Sequence, residues 1–245
     1  MRIWFALAVL VVLCLSGTAL AQQVGGPSGP EQGQWNIGAE GIVRDNVDIL
    51  LTPDPMKLSL KSAGFYGVVE YGITDCLSLR GKVGEAKWEI PGTDAPVDLV
   101  FDYGLSWAAG LKWRICKPEE KGTALALSGQ YAESTPDDLV FPGGDEGLRD
   151  GKVKEWTAAL TVGVPHGSAR PYAGVVYSDL QFDVDYWYPS PAGPVTVVEP
   201  LHGDKRHHVG AVVGIDHDMG DVGFFNIEAR GFDEEGISGS VNFTF

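Results

Sequence analysis

Residues 101–116 read Phe-Asp-Tyr-Gly-Leu-Ser-Trp-Ala-Ala-Gly-Leu-Lys-Trp-Arg-Ile-Cys. Phe101, Tyr103, Leu105, Trp107, Ala109, Leu111, Trp113 and Ile115 fall on one parity; Asp102, Gly104, Ser106, Ala108, Gly110, Lys112, Arg114 and Cys116 fall on the other. A period of two is the signature of a strand with unlike faces, because successive side chains of a strand point to opposite sides. The same pattern recurs nearby. Leu77, Leu79, Gly81 and Val83 oppose Ser78, Arg80 and Lys82, and Phe225, Ile227 and Ala229 oppose Asn226, Glu228 and Arg230.

Working outward, the alternation predicts ten strands, over 34–44, 61–73, 76–89, 99–116, 123–133, 153–164, 170–184, 206–216, 222–232 and 236–245. A count of eight or twelve stays open, since 45–60 could extend the first two strands as a protruding hairpin around Pro53 and Pro55. The links after the even-numbered strands are short: Thr74-Asp75, Lys117 to Gly122, Pro165 to Ala169 and His217 to Asp221. Most links after odd-numbered strands are long or polar, with 134–152 and 185–205 the largest, while Asp233 to Glu235 is a short exception. Short turns at one end and long loops at the other, with an even strand count, describe an all-β, antiparallel up-and-down barrel that crosses a membrane with both termini on the short-turn, periplasmic side.

The start of the chain fits export. Arg2, the apolar run Ile3 to Leu15 and the small residues ending at Ala21 predict a signal peptide over 1–21. Thirteen apolar residues fall short of the roughly 20 that a spanning helix needs. Residues 22–34, rich in Gly and Pro, read as a flexible lead-in, and 35–245 as the barrel. Loss of Arg2 with the leader leaves 17 of the 18 basic residues against 33 acidic ones, a net charge of −16, which argues against nucleic acid as a partner.

Alternation alone does not say which face is outside, and a barrel dissolved in water would turn the apolar face inward. Aromatics towards strand ends (Trp35, Tyr71, Trp113, Tyr131, Trp156) and a polar face that mixes charges with small residues both favour apolar-outward. The last strand, Gly236 to Phe245, adds to this: Ile237, Val241, Phe243 and Phe245 share one face and the chain stops at an aromatic. This strand resembles the C-terminal strand of bacterial outer-membrane proteins. The whole resembles the small outer-membrane barrels of the OmpA/OmpX kind, though those commonly have eight strands. The resemblance implies outer-membrane lipid as surroundings and the barrel-assembly machinery as a partner that reads Val241, Phe243 and Phe245. It carries over no active site.

The inward parity collects Glu40, Glu70, Arg80, Lys82, Lys112, Arg114, Glu155, Glu228 and Arg230. Buried charges of both signs must pair, so these predict a salt-bridged, mostly plugged lumen with a structural or surface-interaction role. A narrow diffusion pore is the alternative. Cys76 opens one strand and Cys116 closes its neighbour, which suggests a disulfide at the turn-side rim in an oxidising compartment. His207 and His208 lie near Asp183 and Asp185 in the strand count, a weak hint of an omptin-like rim hydrolase. Adjacent strand histidines point to opposite faces, so neither a metal nor a catalytic site is expected. Tyr186 to Pro189 reads as an interfacial girdle, and the acidic runs at 137–138, 145–146 and 233–235 as solvated loops. No Walker loop, dinucleotide fingerprint, Cys-x-x-Cys or Gly-x-Ser-x-Gly occurs. No cofactor is expected, and no surface ligand is named.

Overall fold

In a computed structural model of the chain, the alternating segments pair edge to edge until the last meets the first. The structure describes residues 23–52, 57–91, 99–116, 122–141, 146–189 and 196–245, with the Cys116 side chain excepted. The expected signal peptide lies outside the described residues. The strands are β1 (Trp35–Thr52), β2 (Lys57–Gly72), β3 (Leu77–Ile90), β4 (Leu99–Val100), β5 (Gly104–Cys116), β6 (Ala124–Thr135), β7 (Leu139–Val140), β8 (Gly147–Gly163), β9 (Ala169–Pro189), β10 (Thr196–Lys205), β11 (Val209–Asp218), β12 (Gly223–Gly231) and β13 (Glu235–Thr244).

Ten of these form a closed antiparallel ring in the order β1-β2-β3-β5-β6-β8-β9-β11-β12-β13 and back to β1. Closure leaves no open sheet edge in the ring, which is what a sheet in hydrocarbon requires. The seam runs from Asn36 opposite Thr244 to Asp45 opposite Glu235. Trp35 and Phe245 complete it, each backbone N–H donating to the other's carbonyl at 3.0 and 2.8 Å.

Parity behaves as the sequence predicts through most of the ring. Leu79, Val83, Leu105, Leu111, Trp156, Leu160, Val175, Val213 and Ile237 are exposed on the exterior. Aromatics bracket this belt. At the turn end Trp35 sits 4.5 Å from Tyr71; at the loop end Tyr131 lies 5.6 Å from Trp107 and 4.8 Å from Trp156. An apolar exterior band between aromatic rings is the surface of a bilayer-spanning barrel.

Beyond the loop-end aromatics the wall continues. β1 and β2 run on as the protruding hairpin described above, and β8 and β9 extend beside them. Residues 185–205, expected as a loop, contain β10, which pairs with the far ends of both β9 and β1. Likewise part of the expected loop 134–152 is strand, in β7 and the start of β8. The extension encloses a dry cluster that includes Val47, Ile49, Leu60, Trp88, Phe101, Leu180 and Phe182. Phe101 is therefore inside, not on the exterior face assigned by its parity, because β5 begins only at Gly104.

Two bulges make this dome possible. On β1 the register slips by one residue between Arg44 and Val47, with Asn46 at φ 55°. On β8 it slips between Arg149 and Lys152, with Asp150 at φ 53°. Asn and Asp tolerate this left-handed region better than other non-glycine residues. One extra residue exchanges the two faces of a strand. On β1 the buried side chains are Asn36, Glu40, Ile42 and Arg44 before the bulge, and Val47, Ile49 and Leu51 after it. The interior changes from charged to apolar at that level.

Candidate functional site: an occluded lumen

The lumen is filled in three tiers. At the turn end, residues 23–30 enter the barrel and hold no strand ladder. Sequence reasoning read them as part of a flexible lead-in; the structure places Gln23, Val24, Gly25, Gly26 and Pro27 in buried positions inside the wall. The amides of Val24 and Gly25 donate to the two oxygens of Glu228, at 3.0 and 2.9 Å. That of Ser28 donates to Asp216 Oδ2 at 3.2 Å. Lys112 Nζ donates to the Ser28 carbonyl at 2.9 Å, and Arg114 to the carbonyls of Gly29, at 2.8 Å, and Pro30. Carboxylates thus read the N–H groups of this strap and cations read its carbonyls.

The middle tier is centred on Glu40, which no solvent reaches. Arg80 and Lys82 donate to its two oxygens at 2.6 and 2.7 Å, and Lys82 also lies 4.9 Å above the Tyr66 ring. Glu70 accepts from Ser78 Oγ at 2.5 Å and faces Lys112 at 3.7 Å.

The third tier closes the seam above β13. Arg44 contacts Glu155 at 2.7 Å and Glu234 at 3.4 Å. Lys205 contacts Asp233 at 3.1 Å and Glu234 at 2.9 Å. Arg230 contacts the same two acids at 2.8 and 3.1 Å. All six side chains are buried, three of each sign, so the cluster is neutral. Asp233 and Glu234 correct the expectation of a solvated acidic turn. The β12–β13 hairpin tip folds inward, and Gly210 leaves room for it: a Cβ there would stand 2.5 Å from Asp233 Cγ. Phe232, beside them at φ 79°, points outward and is 88% exposed.

The structure therefore places Glu40, Glu70, Arg80, Lys82, Lys112, Glu155, Glu228 and Arg230 as buried lumen residues, with Arg114 half-buried at the turn-end mouth. Arg44, Lys205, Asp216, Asp233 and Glu234 were missed. Arg44 and Asp216 sat at predicted strand ends and the others in predicted loops, and only ring closure brings them in. Between the tiers the cavities are small, about 30 Å³ beside Arg44 and Tyr66 and about 20 Å³ beside Gln23. Each of these has room for a water or two. A larger space, about 330 Å³, opens at the turn-end mouth under Ser28 and Gly29.

The remaining candidates separate. Cys76 is a free thiol in the structure, so the bridge expected with Cys116 is not formed there. The β3–β5 register pairs Leu77 with Trp113, and the Arg114 amide donates to the Cys76 carbonyl. Cys76 thus faces Arg114 rather than Cys116. His207 and His208 do not meet Asp183 or Asp185: His207 lies 3.7 Å from Asp48 and His208 3.6 Å from Asp179. Instead His202, on β10 outside the apolar belt, contacts Asp183 at 2.5 Å and Asp204 at 3.3 Å. The hydrogen bond from Asp183, aided by the charge of Asp204, raises the His202 pKa above its usual value. Among the described residues no group of three or more His, Cys, Asp or Glu is arranged to hold a metal ion. At the C-terminus Ile237, Phe243 and Phe245 are exposed on the exterior, while Val241 is covered. Tyr186 and Tyr188 donate to Glu146 and Glu199, both at 2.8 Å.

No protein-family model and no curated protein sequence matches the chain. Solved structures with a similar fold include the outer-membrane protease OmpT from Escherichia coli, with a TM-score of 0.48 at 10% identity over 91% of this chain and 99% of that one. The outer-membrane protein OprG from Pseudomonas aeruginosa gives 0.48 at 11% over 90% and 99%. The translocator domain of the autotransporter NalP from Neisseria meningitidis gives 0.45 at 13% over 89% and 90%. At these identities the likeness is one of fold. With its closed ten-membered ring, apolar belt between aromatic girdles and charged interior, the chain is by architecture an outer-membrane β-barrel.

Proposed function

We propose that this protein is a closed barrel with a structural or surface-interaction role, standing in the outer membrane with its turn end and both termini in the periplasm and its dome outside the cell. The observation that carries this reading is occlusion in series: a polar strap, two tiers of paired charge and a dry apolar cluster lie along one axis. An ion would have to desolvate among the apolar side chains that the described residues of the dome enclose, and such a transfer costs several kcal/mol or more. The protein then presents a surface rather than a path. That surface is the dome exterior, where Asp48, Asp183 and Asp204 alternate with Lys154, Arg206 and the histidines, at the height of the outer headgroups and their bound cations. Assembly follows the C-terminal strand, with Phe243 and Phe245 as the aromatics read by the assembly machinery. No catalytic step is assigned. Planar-bilayer recording of the purified protein tests the reading. Silence is the expected result, and stable, unitary open steps would overturn it.

A further inference from the structure

The strap is held in a way that strands are not. Six backbone groups of residues 24–30 are bonded, and each partner is a charged side chain of the wall: Glu228, Asp216, Lys112 and Arg114. Those four come from β12, β11 and β5. The wall closes its own ladder without the strap, so removing it breaks no strand pairing. Side-chain reading is slight. Gln23 meets Arg80 and Asn226, Ser28 Oγ accepts from Arg170 at 2.8 Å, and Val24 packs on Ala159 and Val176. One position is read by shape. A Cβ on Gly26 would stand 2.6 Å from the Tyr172 ring, and would also collide with Asp216. Neither neighbour can easily move, since the Tyr172 hydroxyl donates to Glu228 at 2.8 Å and Asn226 donates to Asp216 at 2.6 Å.

We propose that the turn-end half of the lumen is a binding site for a peptide segment with two adjacent glycines, the first turning through φ 74° at Gly25 and the second fitted against Tyr172 and Asp216, and that residues 23–30 are its resident ligand. The same site takes that segment from a second copy of the chain when the first leaves. Acids placed to receive N–H groups and cations placed to receive carbonyls recognise peptide backbone in general, while the Tyr172–Asp216 wall selects for glycine. The mouth of about 330 Å³ beneath Ser28 and Gly29 gives the segment its way in and out. The proposal rests on the barrel but not on the lumen being closed, and it can fail while the recordings stay silent.

The test uses the full chain with Val24→Cys as reporter in a Cys14→Ser, Cys76→Ser, Cys116→Ser background. A membrane-impermeant maleimide labels the introduced thiol only when the strap is out. A synthetic peptide of residues 23–31 competes with a tethered segment, whose effective concentration is about millimolar. Labelling should therefore rise several-fold as the peptide is raised through the millimolar range, and saturate. A peptide with alanine in place of Gly26 should leave the rate unchanged. Within the chain, Gly26→Ala should speed labelling roughly ten- to hundredfold, the effect of an overpacked contact, with heat-modifiable migration retained. A native peptide without effect, an alanine peptide equal to it, or Gly26→Ala labelled at the native rate would each overturn the proposal. Should Gly26→Ala fail to assemble, the two peptides still decide.

Discussion

At the scale of the residue, two sites carry predictions. Lys205 supplies one of three positive charges in the seam cluster, and Asp233 and Glu234 lie within 3.1 Å of it. Replacing it with methionine keeps the length of the stem and leaves the cluster with one uncompensated buried negative charge. Breaking a buried pair from one side costs about 3–5 kcal/mol, so Lys205→Met should markedly lower the temperature at which the compact, heat-modifiable form is lost. Adding Glu234→Gln restores neutrality and should recover much of the loss; an equal deficit in the double variant would count against charge balance as the cause. The second site is His202, whose contact with Asp183 raises its pKa. A raised folded-state pKa stabilises below the unfolded value, and that contribution disappears as pH climbs through the folded one. The β9–β10 hairpin should thus be tighter under mildly acidic conditions than under basic ones. The histidine resonances followed by NMR should show His202 titrating later than an ordinary histidine, and Asp183→Asn should bring it back. Both side chains are about two-fifths exposed, so the effect on global stability is small.

At the scale of the element, the bulge on β1 decides what the dome contains. Asn46 sits at φ 55°, where a β-branched side chain is strained by about 1–2 kcal/mol and glycine is at ease. Asn46→Val should therefore destabilise by about that amount, and Asn46→Gly should match or slightly exceed the native chain, both read from the unfolding midpoint in urea. Deleting Asn46 is a different perturbation. It removes the extra residue, so that Arg44, Val47 and Ile49 follow one unbroken alternation and still face inward; the dome should keep its protease resistance, and its loss would mean that the bulge does more than set the phase. The bulge also explains where reading the sequence stopped. The strands around Leu105, Leu160 and Ile227 were legible because each keeps one phase throughout the belt. Residues 45–52 break phase at Asn46, so a period-two search loses them just where they become interior. β10 was hidden for another reason. Leu201, Gly203 and Lys205 show little alternation, and the strand is defined by its two neighbours. The strap showed only Gly and Pro, and its place follows from side chains on β5, β11 and β12 that no local pattern connects to it.

At the scale of the whole molecule, the tiers act as resistances in series. The strap meets the turn-end half of the lumen and the dome fills the loop-end half, with paired charges between them. Removing one element therefore lowers one barrier and leaves the others. A variant lacking residues 23–31 should remain silent in planar bilayers, although its turn end is open to water. To show that this end has opened, Ser240→Cys can be placed in the Cys14→Ser, Cys76→Ser, Cys116→Ser background. Ser240 is buried and lines the same pocket as Gln23, Gly25 and Gly26. Maleimide added from the turn side should reach it readily without the strap and slowly with it. The converse variant, Leu60→Ser with Leu180→Ser, wets the dome from the other side and should be equally silent while the strap and charge tiers remain. Each substitution replaces a fully buried leucine, a loss of about 2–5 kcal/mol by analogy with truncation to alanine, so the dome should loosen before the belt does. Stable conductance in either single-ended variant would mean that the tiers are not in series, and that an ion can pass one of them without crossing the rest.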